Sequence, residues 1–137
     1  MSIVKIFFLI LPLSFVSIQS EVKSTNPYLF DQLRKPAYRQ SFIKMFKGER
    51  NLDPWLTRYI KNSYGVDGPG KIIKIGHKTY EFQEVCEPHN CCGKLFYILF
   101  SPKGARAWGL FLTEDGTSRF FGKPDDNIKS ALISHGQ

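Results

Sequence analysis

Leu95-Phe96-Tyr97-Ile98-Leu99-Phe100 decides the fold of this chain, because every position in it is apolar. A strand with one wet face alternates apolar and polar residues, whereas a strand covered on both faces reads as a continuous apolar run. Residues 95–100 therefore predict a central strand with a layer packed on each side. Upstream, Ile73 and Ile75 alternate with polar residues as far as a turn at Gly76-His77, and Tyr80 and Phe82 continue the alternation. Downstream, residues 101–104 read as a turn, and residues 106–113 as a strand carrying Trp108, Leu110 and Leu112. Asp115-Gly116 marks another hairpin, which leads into residues 119–122.

The flanks change period. Residues 36–47 predict an amphipathic helix, with Pro36 in the first turn and Gly48 as its stop. Tyr38, Phe42, Met45 and Phe46 fall on one face, while Arg39, Gln40, Lys44 and Lys47 fall on the other. Asp53-Pro54 opens a second helix with an apolar stripe of Trp55, Leu56, Tyr59 and Ile60. A Gly-rich stretch, residues 65–70, closes the helical half. Pro124, Asp125 and Asp126 open a last helix, with Ile128, Leu132 and Ile133 expected inward. Helices, a meander of about five strands, then a helix define an α+β fold around a central antiparallel sheet.

The chain has 137 residues, enough for one domain, and its twelve Phe, six Tyr and two Trp can close a single core. Residues 1–20 stand apart from that core. Lys5 supplies a positive start, Ile6 to Val16 is almost unbroken apolar sequence, and small or polar residues follow up to Ser20. The run is too short to span a membrane, so residues 1–20 are expected to be a cleaved signal peptide and 21–137 the mature domain. Lys5 is the single charged residue of that segment, so cleavage takes the formal net charge from +7 to +6. Such an excess suits anionic partners, and equally keeps a protein soluble. The cations Arg34, Lys35, Arg39, Lys44 and Lys47 read as a solvated helix face. Nucleic acid would want aromatic platforms among them, and the nearby aromatics fall on the other side. Trp55 and Trp108 are expected in the core, His77 in a turn and His135 in a frayed tail.

Export implies an oxidising compartment in which cysteines pair, and this chain has three. Cys86 and Cys91 enclose Glu87, Pro88, His89 and Asn90, at the point where one strand ends and the central strand begins. In extended chain, Cys91 and Cys92 point to opposite faces, so only one can meet Cys86. Cys91 is the expected partner, leaving Cys92 buried, free or linking two chains. A bridge across so small a ring stabilises the fold by about 2 kcal/mol. Its larger effect is to hold the loop in one shape, with His89 near the tip. Three other readings compete. The bridge can be purely structural, with an incidental histidine. Cys86, His89 and Cys91 or Cys92 can ligate zinc, although the spacing is tight and no second cluster adds ligands. Cys92 can act as a nucleophile, although no orienting carboxylate is evident.

Cys86-x-Pro88-His89-x-Cys91, preceded by Gly76-His77-Lys78-Thr79-Tyr80, resembles the inhibitor of vertebrate lysozyme (Ivy) family. Residues 42–48 with 51–56, Phe100-Ser101-Pro102 with residues 107–110, and residues 122–128 resemble that family in the same order. The resemblance implies an α/β/α sandwich without cofactor or catalysis. It also implies a periplasmic protein of a Gram-negative bacterium, in which a homodimer is plausible. The expected partner is a c-type lysozyme, a host-defence enzyme whose cleft the loop Cys86, Glu87, Pro88, His89, Asn90, Cys91 would plug. An alternative is an envelope binding or stress protein of the same fold, acting on the bacterium's own lytic transglycosylases. Two positions depart from the family's pattern: Asn90 stands where Asp is usual, and Glu87 where Lys is frequent. C-type lysozymes are themselves basic, so long-range steering between two basic proteins is repulsive.

Overall fold

The computed structural model describes residues 26–136. The expected signal peptide, residues 1–20, lies outside them. Six antiparallel strands form one sheet: β1 Val66–Asp67, β2 Lys71–Ile75, β3 Lys78–Cys86, β4 Lys94–Phe100, β5 Ala107–Thr113 and β6 Ser118–Phe121. From β3 to β6 they follow chain order, as a meander does, while β1 and β2 both lie along the outer edge of β3. The extra strand relative to the five expected is the two-residue β1, too short to leave a periodic signal.

Strand β4 sits centrally, and its alternate side chains enter two separate cores. Phe96, Ile98 and Phe100 point into one, under α1 Leu29–Gln32, α2 Pro36–Met45 and α3 Pro54–Asn62. Tyr97 and Leu99 point into the other, under α4 Asp126–His135. The fold is thus an α/β/α sandwich, and the all-apolar run of β4 follows from its having no wet face.

The first core is strongly aromatic. Phe96 is fully buried, and Phe46 and Phe121 approach its ring with centroids 5.8 and 6.0 Å away. The Phe96 ring has room to lie across β5 because that strand carries Gly109. A Cβ there would lie 2.6 Å from the Phe96 ring. Helix α3 starts as its sequence predicts, with the Asp53 carboxylate accepting from the Trp55 N–H at 2.8 Å. Asp125 does the same for α4 by accepting from the Ile128 N–H at 2.9 Å.

Buried polar groups tie the helical layer to the sheet. Asp67 on β1 accepts from the Phe30 N–H at 2.8 Å and from the Tyr59 hydroxyl at 3.1 Å. Burial pushes the carboxyl of Asp67 above its usual range. Tyr38 donates to Glu81 at 2.8 Å, and burial together with that carboxylate pushes the phenol up to about 12. Three expectations are corrected. Helix α2 ends at Met45 rather than residue 47. Ile133 is 47 % exposed, and Ala131 takes the inward position beside Ile128 and Leu132. His135 belongs to the last turn of α4, its ring 6.2 Å from that of Phe82.

Candidate binding loop

The connection from β3 to β4 is the loop singled out by the sequence. Cys86 is the last residue of β3 and is bonded to Cys91, with their Cα atoms 4.9 Å apart. Cys92 is exposed and unpaired. With both thiols of the motif committed to each other, the zinc reading loses two ligands. Among the described residues no group of three His, Cys, Asp or Glu side chains could hold a metal.

Inside the ring the backbone folds into a tight turn. Asn90 N–H donates to the Glu87 carbonyl at 3.0 Å, and Gly93 and Lys94 N–H groups both donate to the Asn90 carbonyl at 3.0 Å. Pro88 fixes its own φ, and His89 adopts the left-handed conformation at φ 63°. That region is uncommon for residues other than glycine, and His, Asn and Asp tolerate it better than most. The left-handed turn places His89 at the tip of the loop, where it is exposed.

A second layer of contacts braces the ring from beneath. Lys94 at the start of β4 lies 2.9 Å from the Asp53 carboxylate and 3.5 Å from that of Glu87. Asp53 caps α3, so one ammonium joins the loop, the sheet and the helical layer. The hydrogen bond to Asp53 raises the pKa of Lys94 above its ordinary value, which keeps the brace charged. Asn90 Nδ2 donates to the same Glu87 carboxylate at 3.3 Å. Glu87 is therefore turned into the loop's base, not outward towards a partner, and Asn90 offers it a donor where an Asp would offer a second negative charge. Gly93 completes the packing, since a Cβ there would overlap the Asn90 carboxamide.

The structure brings Cys86, Glu87, Pro88, His89, Asn90 and Cys91 together as one unit. Sequence reasoning missed Lys94 and Asp53 as its supports. Forty-one residues separate them, and no local pattern announces the pair.

The site is thus an exposed imidazole on a covalently closed, ion-braced loop. The fold and the loop together define an α/β/α domain with a disulfide-closed loop at one end of its sheet. The family described as inhibitor of vertebrate lysozyme (Ivy) matches residues 37–132, and this chain belongs to it. An uncharacterized protein of Yersinia pestis is 30% identical over 131 residues, covering 87% of this chain and 82% of the relative. A protein of Pseudomonas aeruginosa named inhibitor of vertebrate lysozyme is 23% identical over 79% of this chain and 76% of its own length. One of the same name from Escherichia coli K12 is 27% identical over 56% of this chain and 45% of its own. Those names describe inhibitors, a role of binding and not of catalysis.

Proposed function

We propose that this protein inhibits a c-type lysozyme by placing the loop of residues 86–91 in the enzyme's active-site cleft, with His89 as the plug. The observation that carries the reading is the display of His89 at a rigid tip, within a chain whose family is named for this inhibition. Retaining glycosidases hold their two carboxyl groups about 5 Å apart, one protonated as general acid and one ionised. A neutral imidazole matches that pair, because one ring nitrogen donates and the other accepts. If protonated, it donates to both with charge assistance. The inhibitor does no chemistry; it fills the space that the sugar needs. Rigidity matters because a loop already held in its bound shape loses little entropy on docking.

The same reading makes residues 1–20 a signal peptide and the site of action the periplasm of a Gram-negative bacterium. Titration of the mature protein against c-type lysozyme in a cell-wall lysis assay, at low and moderate salt, tests it. Stoichiometric loss of lysis is the expected result. Undiminished lysis at large molar excess would overturn it and direct attention to the bacterium's own lytic transglycosylases.

A further inference from the structure

The sheet face turned away from the three-helix layer is not covered to its end. Antiparallel pairing sets directly opposed residues on the same face, so the register gives rows across the sheet. In one row Glu84 faces Tyr97, Tyr97 faces Leu110 and Leu110 faces Phe120. Its middle is sealed: Tyr97 and Leu110 are 4 % and 2 % exposed, and the Tyr97 hydroxyl donates to the Gly136 carbonyl at the end of α4. The next row on that face, at the end where the loop begins, is Val66, Cys86, Leu95, Leu112 and Ser118. Here the cover stops. Leu95 and Leu112 rest on the second core yet stay partly exposed, Ser118 is exposed, and Val66 is 51 % exposed. No member of this row is charged.

The row is continuous with the loop, because Cys86 belongs to both and is bonded to the exposed Cys91. His89 is two residues from Cys91, so their Cα atoms are at most about 7 Å apart. A tip of such short reach enters a cleft only if the walls of that cleft come down to the end of the sheet. Lys94, Asp53 and Glu87 occupy the helical side of the loop. Leu95, one position further along β4, points to the other side, which is left open. We infer that Val66, Leu95 and Leu112 form a second contact with the lysozyme, an inference that rests on the inhibition proposed above. They make an uncharged shelf on which one wall of the cleft rests while His89 fills the cleft. An apolar contact suits two basic proteins: it gains affinity from surface removed from water and adds no charge to a repulsive approach.

Methyl NMR with a soluble nitroxide tests the shelf directly, on the mature protein alone and with c-type lysozyme added. In the complex the methyl groups of Val66, Leu95 and Leu112 should lose about two thirds of their relaxation enhancement, as surface at an interface core is shielded from solvent. Ile72, 52 % exposed on β2, should keep its own. In the lysis assay, Leu95→Thr with Leu112→Thr should weaken inhibition about tenfold through faster dissociation, and by the same factor at low and moderate salt. Val66→Gln should weaken it about threefold, at an exposed edge position that the fold tolerates, and Ile72→Thr should leave it unchanged. Circular dichroism checks that each variant is folded. Methyl groups that stay open to the nitroxide in the complex, or undiminished inhibition by the folded variants, would overturn the shelf and leave the His89 plug standing. Absence of any complex would overturn both. Protection already present in the free protein, and growing with its concentration, would overturn the shelf in favour of an interface between copies of this chain.

Discussion

Two connections lie side by side at one end of the sheet, and they are held in different ways. The β5–β6 turn, residues 113–118, is organised from within: the Asp115 carboxylate accepts from the Thr117 N–H at 2.9 Å and from the Thr113 hydroxyl, and Gly116 takes φ 81°. The β3–β4 loop adds to its own turn hydrogen bonds the covalent Cys86–Cys91 bond and a lysine that reaches outside the loop to the cap of α3. Glu114 N–H donates to the Gly93 carbonyl at 2.8 Å and joins the two. The difference teaches what a displayed side chain requires. A turn that only reverses the chain can rely on its own residues. The tip that carries His89 has covalent and long-range support as well, as the proposed docking against a partner would require.

Breaking that comparison at its tip should have the largest effect. His89→Ala is expected to weaken lysozyme inhibition by about a hundredfold, on the scale of an interface hot spot. Its thermal midpoint should stay close to that of the parent, because His89 is exposed and its side chain forms no hydrogen bond or ion pair among the described residues. Retained inhibition by the folded variant would remove the plug mechanism. Next comes the bridge. In a Cys92→Ser background, Cys86→Ala with Cys91→Ser should cost about 2 kcal/mol of stability by denaturant titration. Inhibition should fall roughly tenfold, by loss of preorganisation rather than of contact.

Lys94→Met sharpens the comparison by removing the ionic brace while leaving the bond. It places the Asp53 and Glu87 carboxylates together without their shared counter-ion, at an expected cost of about 1 kcal/mol. Inhibition should weaken only about threefold, as the ring stays closed. Smallest of all is Asp115→Asn in the neighbouring turn. Hydrogen bonds from Thr113 and Thr117 hold the Asp115 carboxyl down to about 2. A depressed carboxyl stabilises the folded state above its ordinary value of 3.8, and that contribution is lost as pH falls towards about 2. The variant should therefore show a flatter acid unfolding curve in that window and unaltered inhibition at neutral pH. A loss of inhibition equal to that of Lys94→Met would mean that the two connections act as one surface.

Much of this architecture was legible because its causes are local. The apolar run of β4, the Asp53-Pro54 and Asp125 helix starts, and the Asp115-Gly116 turn each carry their signal within a few residues. The expected inward Ile133 failed because helical spacing alone cannot say how far a single helix rolls on a sheet. Strand β1 escaped notice because two residues carry no period; it forms where Asp67 meets Phe30 and Tyr59, contacts that exist only once the layers have packed.

The loop divides along the same line. From the residues themselves came the small ring, the restriction at Pro88 and the histidine near its tip. The choice of Cys91 over Cys92 was an expectation that the folded chain decided, since it depends on which thiol reaches the end of β3. The inward turn of Glu87, the partnership of Asn90 with it, and the Lys94–Asp53 brace were decided only by tertiary structure. A sequence determines what can happen between residues a few positions apart, where chain geometry alone sets the distance. Forty-one residues apart, the distance between a lysine and its carboxylate is set by how a helix docks on a sheet.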